Sequence, residues 1–508
     1  MEFHQDTRAV SAPLFALDTV AEQLADVDLT LPDYCPDIEK ILKCSLTPKI
    51  QSKALSGGQL QVDGVCVVNV LYVESEKKTI RCCEHSLSFS QRFTVRDAGE
   101  GNLILTKTKP EYINCRALSP RRLVIHGAFS LYAKVITVGR TELFTPERSG
   151  METLRKKLPL CDLRSNCQEQ FTVSEAISVA DKPAIEAVLY VKADAAVTDA
   201  KAVSGKLMLS GDININLFYL SNLETGETAK LNYLLPFNQI IDCDGIDEDT
   251  ENIFHIEVMS FDARLKNDIL SDKPAIAFDA MLCVSAEGYH SEDTEIIADA
   301  YCTSYACAPQ LAELKAVGTV CEINSTAMEK LSAKIDGCKI SKILDIYADS
   351  VTLETSPAED GMTAKGKISL CILALDDKSV PVFVERAFDY ERRLDAAGCN
   401  RMLFDNARVA SVSYRLAEDG SVDMRCELNI SGGAVESESL RVVSGVDVFE
   451  DSPIPPADCA LTLYYASAGE NLWQIAKSHN TGLSLLMAEN ALDGLILDSD
   501  RMLLIPRL

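Results

Sequence analysis

One tryptophan and six histidines stand in 508 residues, and aromatics make up only 6% of the chain. Positive charge is scarce too: 49 lysines and arginines face 76 aspartates and glutamates, a formal net charge of −27. That excess repels phosphate backbones and anionic headgroups, which excludes nucleic acid and membrane surfaces as bulk electrostatic partners. Long hydrophobic runs are missing. The longest, near Val65 to Val73, is about half of what a membrane-spanning helix needs, so no membrane insertion is expected. The first residues carry acidic side chains early and no long apolar stretch, so no secretion signal is expected and the chain reads as cytoplasmic. The signatures of familiar catalysts are missing as well: no His-Glu-x-x-His, no Gly-x-Ser-x-Gly, no histidine pair at metal-ligand spacing. Gly361 to Ile368 has the glycine spacing of a phosphate loop, but Ile368 stands where Ser or Thr must ligate magnesium. The acidic run Asp242 to Glu251 lacks the spacing and closing glutamate of an EF-hand loop and reads as a solvated connection. No catalytic residue, metal site or cofactor is expected. The 18 cysteines form no Cys-x-x-Cys pair, and most sit singly in apolar runs, which reads as reduced thiols serving as small hydrophobes.

What is present is a repeat in an ordinary globular composition, 47% hydrophobic and 25% charged. Three segments align: Cys35 to Leu42, Asp181 to Leu189, and Gly337 to Leu344. Their anchors Ile38, Ile185 and Ile340 are each followed 26 residues later by a glycine, Gly64, Gly211 and Gly366. The anchors lie 147 and 155 residues apart, too far for a solenoid repeat and right for three copies of one domain. After each glycine the apolar parity repeats: Cys66, Val68, Val70, Tyr72; then Ile213, Ile215, Leu217, Tyr219; then Ile368, Leu370, Ile372, Ala374. Such alternation marks a strand with one buried face. In the first copy Val65, Val67 and Leu71 make the opposite face apolar too, so that face is expected to pack on a neighbouring domain or a second chain. Further strands, at Leu123 to Val138, Ala275 to Val284 and Ser421 to Ile430, are separated by turns such as Asp360-Gly361 and Asp419-Gly420. The fold class is mainly β: three tandem β-sandwich-like repeats over 1–160, 161–310 and 311–449.

Pro453, Pro455 and Pro456 make 450–457 a stiff linker. Residues 458–508 then resemble a LysM domain, a small βααβ fold, through Tyr465, Gly469, Leu472, Trp473, Ile475, Ala476, Leu486, Asn490, Leu503, Ile505 and Pro506. Asn471 stands where Thr is usual, and either caps a helix by accepting from its orphan amides. Trp473, Ile475, Ala476, Leu486 and Ile505 are expected to form the small core. Asp500-Arg501 replace the usual Gly-Gln. LysM domains bind N-acetylglucosamine glycans in a groove between two loops. By position that groove would comprise Gly469, Glu470, Asn471 and Leu472 with Asn490, Ala491, Leu492 and Asp493.

The run Leu31 to Leu42, LPDYCPDIEKIL, resembles the opening motif of the SPOCS domain of clostridial spore-coat proteins. Repeated SPOCS domains before a LysM domain resemble the SipL-like coat morphogenetic proteins. That resemblance implies a non-enzymatic scaffold, made in the mother cell and acting at the developing spore surface. Its partners would be a coat morphogenetic ATPase, met through the LysM domain, and other coat proteins. The alternative is a LysM-mediated peptidoglycan-binding protein.

Overall fold

The computed structural model describes residues 8–96, 99, 101–146, 150–179, 182–267, 274–335, 339–418, 420–455 and 459–506. Asp181, Gly337, Cys338, Asp419 and Pro456, which the sequence reading used, lie outside them. Three units follow one another. The first holds β1 (Arg8–Leu24), β2 (Val27–Thr30), β3 (Ile38–Ser56), β4 (Gln59–Glu74), β5 (Ile80–Thr94), β6 (Leu103–Ser119) and β7 (Arg122–Leu143). The second holds β8 (Met151–Ser178), β9 (Ala187–Val203), β10 (Lys206–Asn222), β11 (Glu227–Asp242), β12 (Glu251–Asn267) and β13 (Pro274–Cys302). The third holds β14 (Tyr305–Lys334), β15 (Ile340–Val351), β16 (Glu354–Ala358), β17 (Gly361–Asp376), β18 (Pro381–Leu394), β19 (Arg401–Leu416) and β20 (Ser421–Pro453).

Each unit is a two-sheet sandwich with one topology. An antiparallel meander, β3-β4-β5, β9-β10-β11 or β15/β16-β17-β18, makes one sheet. In the other, the last strand of the unit lies between the first and the next-to-last: β7 between β1/β2 and β6, β13 between β8 and β12, β20 between β14 and β19. The mainly-β fold class is what the sequence indicated. Its alternating strands sit as read: Cys66, Val68, Val70 and Tyr72 are at most 1% exposed, as are Ile368, Leu370, Ile372 and Ala374. The would-be phosphate loop, Gly361 to Ile368, is the start of β17.

The repeated glycine has a steric cause. A Cβ on Gly64 would lie 2.3 Å from the Lys49 carbonyl and 2.5 Å from the Phe89 ring; on Gly211, 2.2 Å from the Ala196 carbonyl and 2.6 Å from Phe237. On Gly366 it would lie 1.9 Å from the Thr352 carbonyl and 2.9 Å from Tyr390. In every unit an aromatic of the third meander strand lies over the glycine of the second. The opening motif is structural as well. The Arg121 guanidinium donates to Asp37 (2.9 Å) and to the carbonyls of Cys35 (3.0 Å) and Pro32 (2.9 Å). Tyr72 donates to the Pro36 carbonyl, and Tyr219 to the Pro183 carbonyl, 36 residues back in both cases.

The three units close around a common centre. Leu71, Phe218 and Leu373 are spaced like the anchors, at 147 and 155 residues, and they meet in one buried cluster. This is where the apolar outer face of β4 goes: its far end packs on the other two units, not on solvent. The same contact buries Phe218 on the face of β10 that otherwise carries Asp212, Asn214 and Asn216. A second three-way cluster joins Leu103, Ile253, Leu403 and Phe404 at the starts of β6, β12 and β19. A third joins Val10 and Leu143, Leu160 and Ile296, and Leu314 and Val442 where the long strands run past their sandwiches. Ion pairs reinforce each seam: Lys53 with Glu257 between units one and two, Arg408 with Asp194 between two and three, and Asp349 with Lys43 of unit one and Lys192 of unit two. Burial works to raise the Asp349 carboxyl, but the two lysines outweigh it and hold it below its ordinary range.

Candidate functional site

The chain ends in a small βααβ module: β21 (Leu461–Ala466), α1 (Leu472–Ser478), α2 (Leu483–Glu489) and β22 (Arg501–Pro506), with β21 and β22 antiparallel. The segment before it is less of a spacer than its prolines suggest. β20 continues through Pro453, which pairs with Tyr305, and the Ile454 amide donates to the Ser304 carbonyl. The module is thereby held at the tip of the β13–β14 hairpin.

Its helices start and stop for local reasons. The Asn471 side chain caps α1 by accepting from the Trp473 amide at 2.9 Å. Leu472, Trp473, Ile475, Ala476 and Leu486 are buried with Leu503 and Ile505. This core is shared with the body. The Trp473 indole Nε1 donates to Asp299 Oδ2 (2.8 Å), Lys477 Nζ donates to both Asp299 oxygens (2.7 and 2.8 Å), and Tyr301 lies edge-on to the indole at 4.9 Å. The Tyr301 hydroxyl donates to the Thr481 carbonyl (2.6 Å). Burial works to raise the Asp299 carboxyl, yet the Lys477 and Trp473 hydrogen bonds hold it below its ordinary range. Trp473, 0% exposed, is therefore spent on packing and on joining the module to β13.

Of the two loops assigned to the groove, the first is hydrogen-bonded to residues just beyond the second, Leu495 and Leu497, which the groove assignment did not include. Gly469 N donates to Leu497 O (2.8 Å), Leu497 N to Glu470 O (3.0 Å) and Leu472 N to Leu495 O (2.8 Å). Two of the assigned residues need correcting. The Leu472 side chain is fully buried. Asn490 is 8% exposed and clamps α2 to β22, donating to Leu486 O and Leu504 O and accepting from Leu504 N. A polar side chain so committed has nothing left for a ligand. The Glu470 carboxylate accepts from Ser467 N (2.8 Å) and Tyr464 Oη (2.9 Å). Leu492 packs against the core. Gly469, Asn471, Ala491 and Asp493 are exposed. The unusual Asp500-Arg501 pair has a role here: Asp500 accepts from Ala468 N (2.7 Å) and Arg501 donates to Asn490 O (3.0 Å), tying one loop each to β22.

The most exposed apolar surface of the module lies elsewhere. On the β21–β22 sheet, Thr462, Tyr464, Leu503 and Ile505 point toward the helices, while Leu463 (65% exposed), Tyr465 (67%) and Met502 (59%) form the opposite face beside Leu461. The alternation in LTLYYA carried this signal: apolar residues stand on both parities of a strand that has only one core to face.

In the body, Asp349, Cys371 and Glu385 converge closely enough to hold a metal ion. Lys43 Nζ already lies 2.6 Å from Glu385 and 3.4 Å from Asp349, so a cation occupies that pocket of negative charge. An open cleft of about 1320 Å³ between the units is lined by residues of all three, His255 among them. That imidazole stacks on Phe404 at 6.1 Å, and burial holds its pKa below the ordinary value.

The cysteine reading needs one correction. Cys167 and Cys243 are joined by a disulfide, with Cα atoms 5.6 Å apart; fifteen others are free among the described residues.

No helix of the described residues is long and apolar enough to cross a membrane. No curated protein and no solved structure matches the chain. Residues 37–118 and 184–266 each match the family model described as SipL, SPOCS domain. The first match spans β3 to β6 and the second β9 to β12, corresponding pieces of units one and two. Over those two segments, in its first two units, the chain is similar to SPOCS domains of the SipL type.

Proposed function

We propose that this chain is a non-enzymatic scaffold of spore-coat assembly, and that its C-terminal module docks it onto a coat morphogenetic ATPase. The observation that carries the reading is the uncovered apolar face of β21–β22, Leu461, Leu463, Tyr465 and Met502, on a module whose other side is fixed to the body. Clustered exposed apolar side chains mark interaction surfaces in soluble proteins. The SPOCS matches and the LysM-like C-terminus support the coat assignment. The three joined sandwiches act as a rigid platform that sets where the module sits; other coat proteins meet its outer faces. The chain works in the mother cell, at the surface of the developing spore.

Binding to peptidoglycan is the competing use of the module. The hydrogen bonds that tie Glu470, Asn490, Asp500 and Arg501 inside the fold weigh against a sugar groove there. Deleting 458–508 is expected to abolish localisation to the spore surface and co-purification with the coat ATPase from sporulating cells. Normal localisation of the truncated chain refutes the docking role. Sedimentation of the full chain with purified peptidoglycan, with no ATPase recovered, overturns it in favour of glycan binding.

A further inference from the structure

The Cys167–Cys243 bond joins β8 to the connection leaving β11, the two sheets of unit two, inside that unit's own core. Unit three repeats the placement. Cys321 is on β14, the counterpart of β8, and Cys399 is in the connection leaving β18, the counterpart of β11. Both belong to the core of unit three, Cys399 buried in it and Cys321 packed against it. Unit one has no cysteine in the corresponding connection, but Cys44 on β3 and Cys115 on β6, one on each of its two sheets, belong to the same core. In all three pairs one cysteine is buried (Cys44, Cys243, Cys399) and one half-buried (Cys115, Cys167, Cys321).

We propose that each sandwich carries one oxidisable cysteine pair, Cys44–Cys115, Cys167–Cys243 and Cys321–Cys399, and that a small-molecule disulfide closes all three into staples between the sheets. The step is thiol–disulfide exchange. The half-buried sulfur, as thiolate, attacks one sulfur of R–S–S–R; a mixed disulfide forms and RS⁻ leaves. The buried partner gives up its proton and attacks the protein sulfur of the mixed disulfide, and a second RS⁻ leaves. Two protein thiols are oxidised, one small disulfide is reduced to two RSH, and the two thiol protons go to the leaving groups. In unit one the neighbouring Cys44 thiol holds the Cys115 pKa below its ordinary value, which favours Cys115 as the attacking sulfur. Burial pushes the resolving Cys399 up to about 12, so it waits for the mixed disulfide to form beside it. Cys35 and Cys83 share the core of unit one too, but both are buried, at 7% and 4% exposure, and neither offers a sulfur for the first attack.

The test is peptide mapping of the full chain. The reduced protein is incubated with oxidised glutathione, quenched with acid, alkylated in denaturant and digested without reductant. The expected result is three intramolecular linkages, 44–115, 167–243 and 321–399, with a thermal midpoint several degrees above that of the reduced protein. In Cys321→Ser the third linkage alone is expected to vanish. Finding only 167–243, or a 35–83 linkage in place of 44–115, overturns the proposal; so does a mixed population of linkages between units.

Discussion

Two strands of this molecule carry the same sequence signal and meet opposite fates. β4 and β21 each present apolar residues on both faces. In β4 one face fills the first sandwich and the far end of the other, at Leu71, is covered by Phe218 and Leu373 of the two neighbouring units. In β21 one face covers two short helices, and the other, at Leu463 and Tyr465, has no covering element among the described residues. A strand apolar on both sides needs two covers. The body supplies both by repeating itself around a centre; the module, with roughly fifty residues and a single core, supplies one. That difference is what the proposed docking role of the β21 face rests on.

Substitutions that exchange these fates give the sharpest predictions. Phe218→Ala should cost about 3–5 kcal/mol in urea denaturation, because it opens a cavity where three units meet and the surrounding strands cannot collapse into it. Glu287, 0% exposed with only Tyr289 Oη on one oxygen, gives a pH dependence to the same body. Burial pushes its carboxyl up from 4.5 to about 7. In that window the folded chain keeps a proton that the unfolded chain has released. Stability should therefore fall as pH rises from 4.5 to about 7 and level off above. Glu287→Gln should remove that fall, about 3 kcal/mol, as read from denaturation midpoints across the window. Lys77→Ala, at an exposed ion pair with Glu224 between units one and two, should leave the denaturation midpoint almost unchanged, because solvent screens that pair. Leu463→Asp should change it least, since that side chain is already in water.

Much of the body was legible before any coordinates. Three copies, the buried parity after each glycine and the all-β class follow from spacing and alternation alone, because those patterns are local. The joining of the units was only half legible. The apolar outer face of β4 announced a neighbour, but Phe218 reads as the end of a wet face, since the partners that bury it lie far away in sequence. The strands read at Ala275 to Val284 and Ser421 to Ile430 run further, as β13 and β20, for the same reason: beyond the sandwich their residues pack against other units, not against their own second sheet. In the module, Trp473, Ile475, Ala476, Leu486 and Ile505 were recognisable as core from helical spacing and the resemblance. Asn490 and Leu472 were misplaced because a motif position gives a backbone location and says nothing of where the side chain points. The disulfide was invisible, since a pairing over 76 residues has no local signal.

The central claim is that the face of β21 is a docking surface and that the folded chain does not need it. Titration of full-length Leu463→Asp and wild type against the purified coat morphogenetic ATPase tests it most directly, with thermal melts of both chains alongside. The account predicts superimposable melts and a Kd weakened at least about 30-fold, the loss of one central apolar anchor of about 2 kcal/mol. An unchanged Kd with an unchanged melt would contradict it.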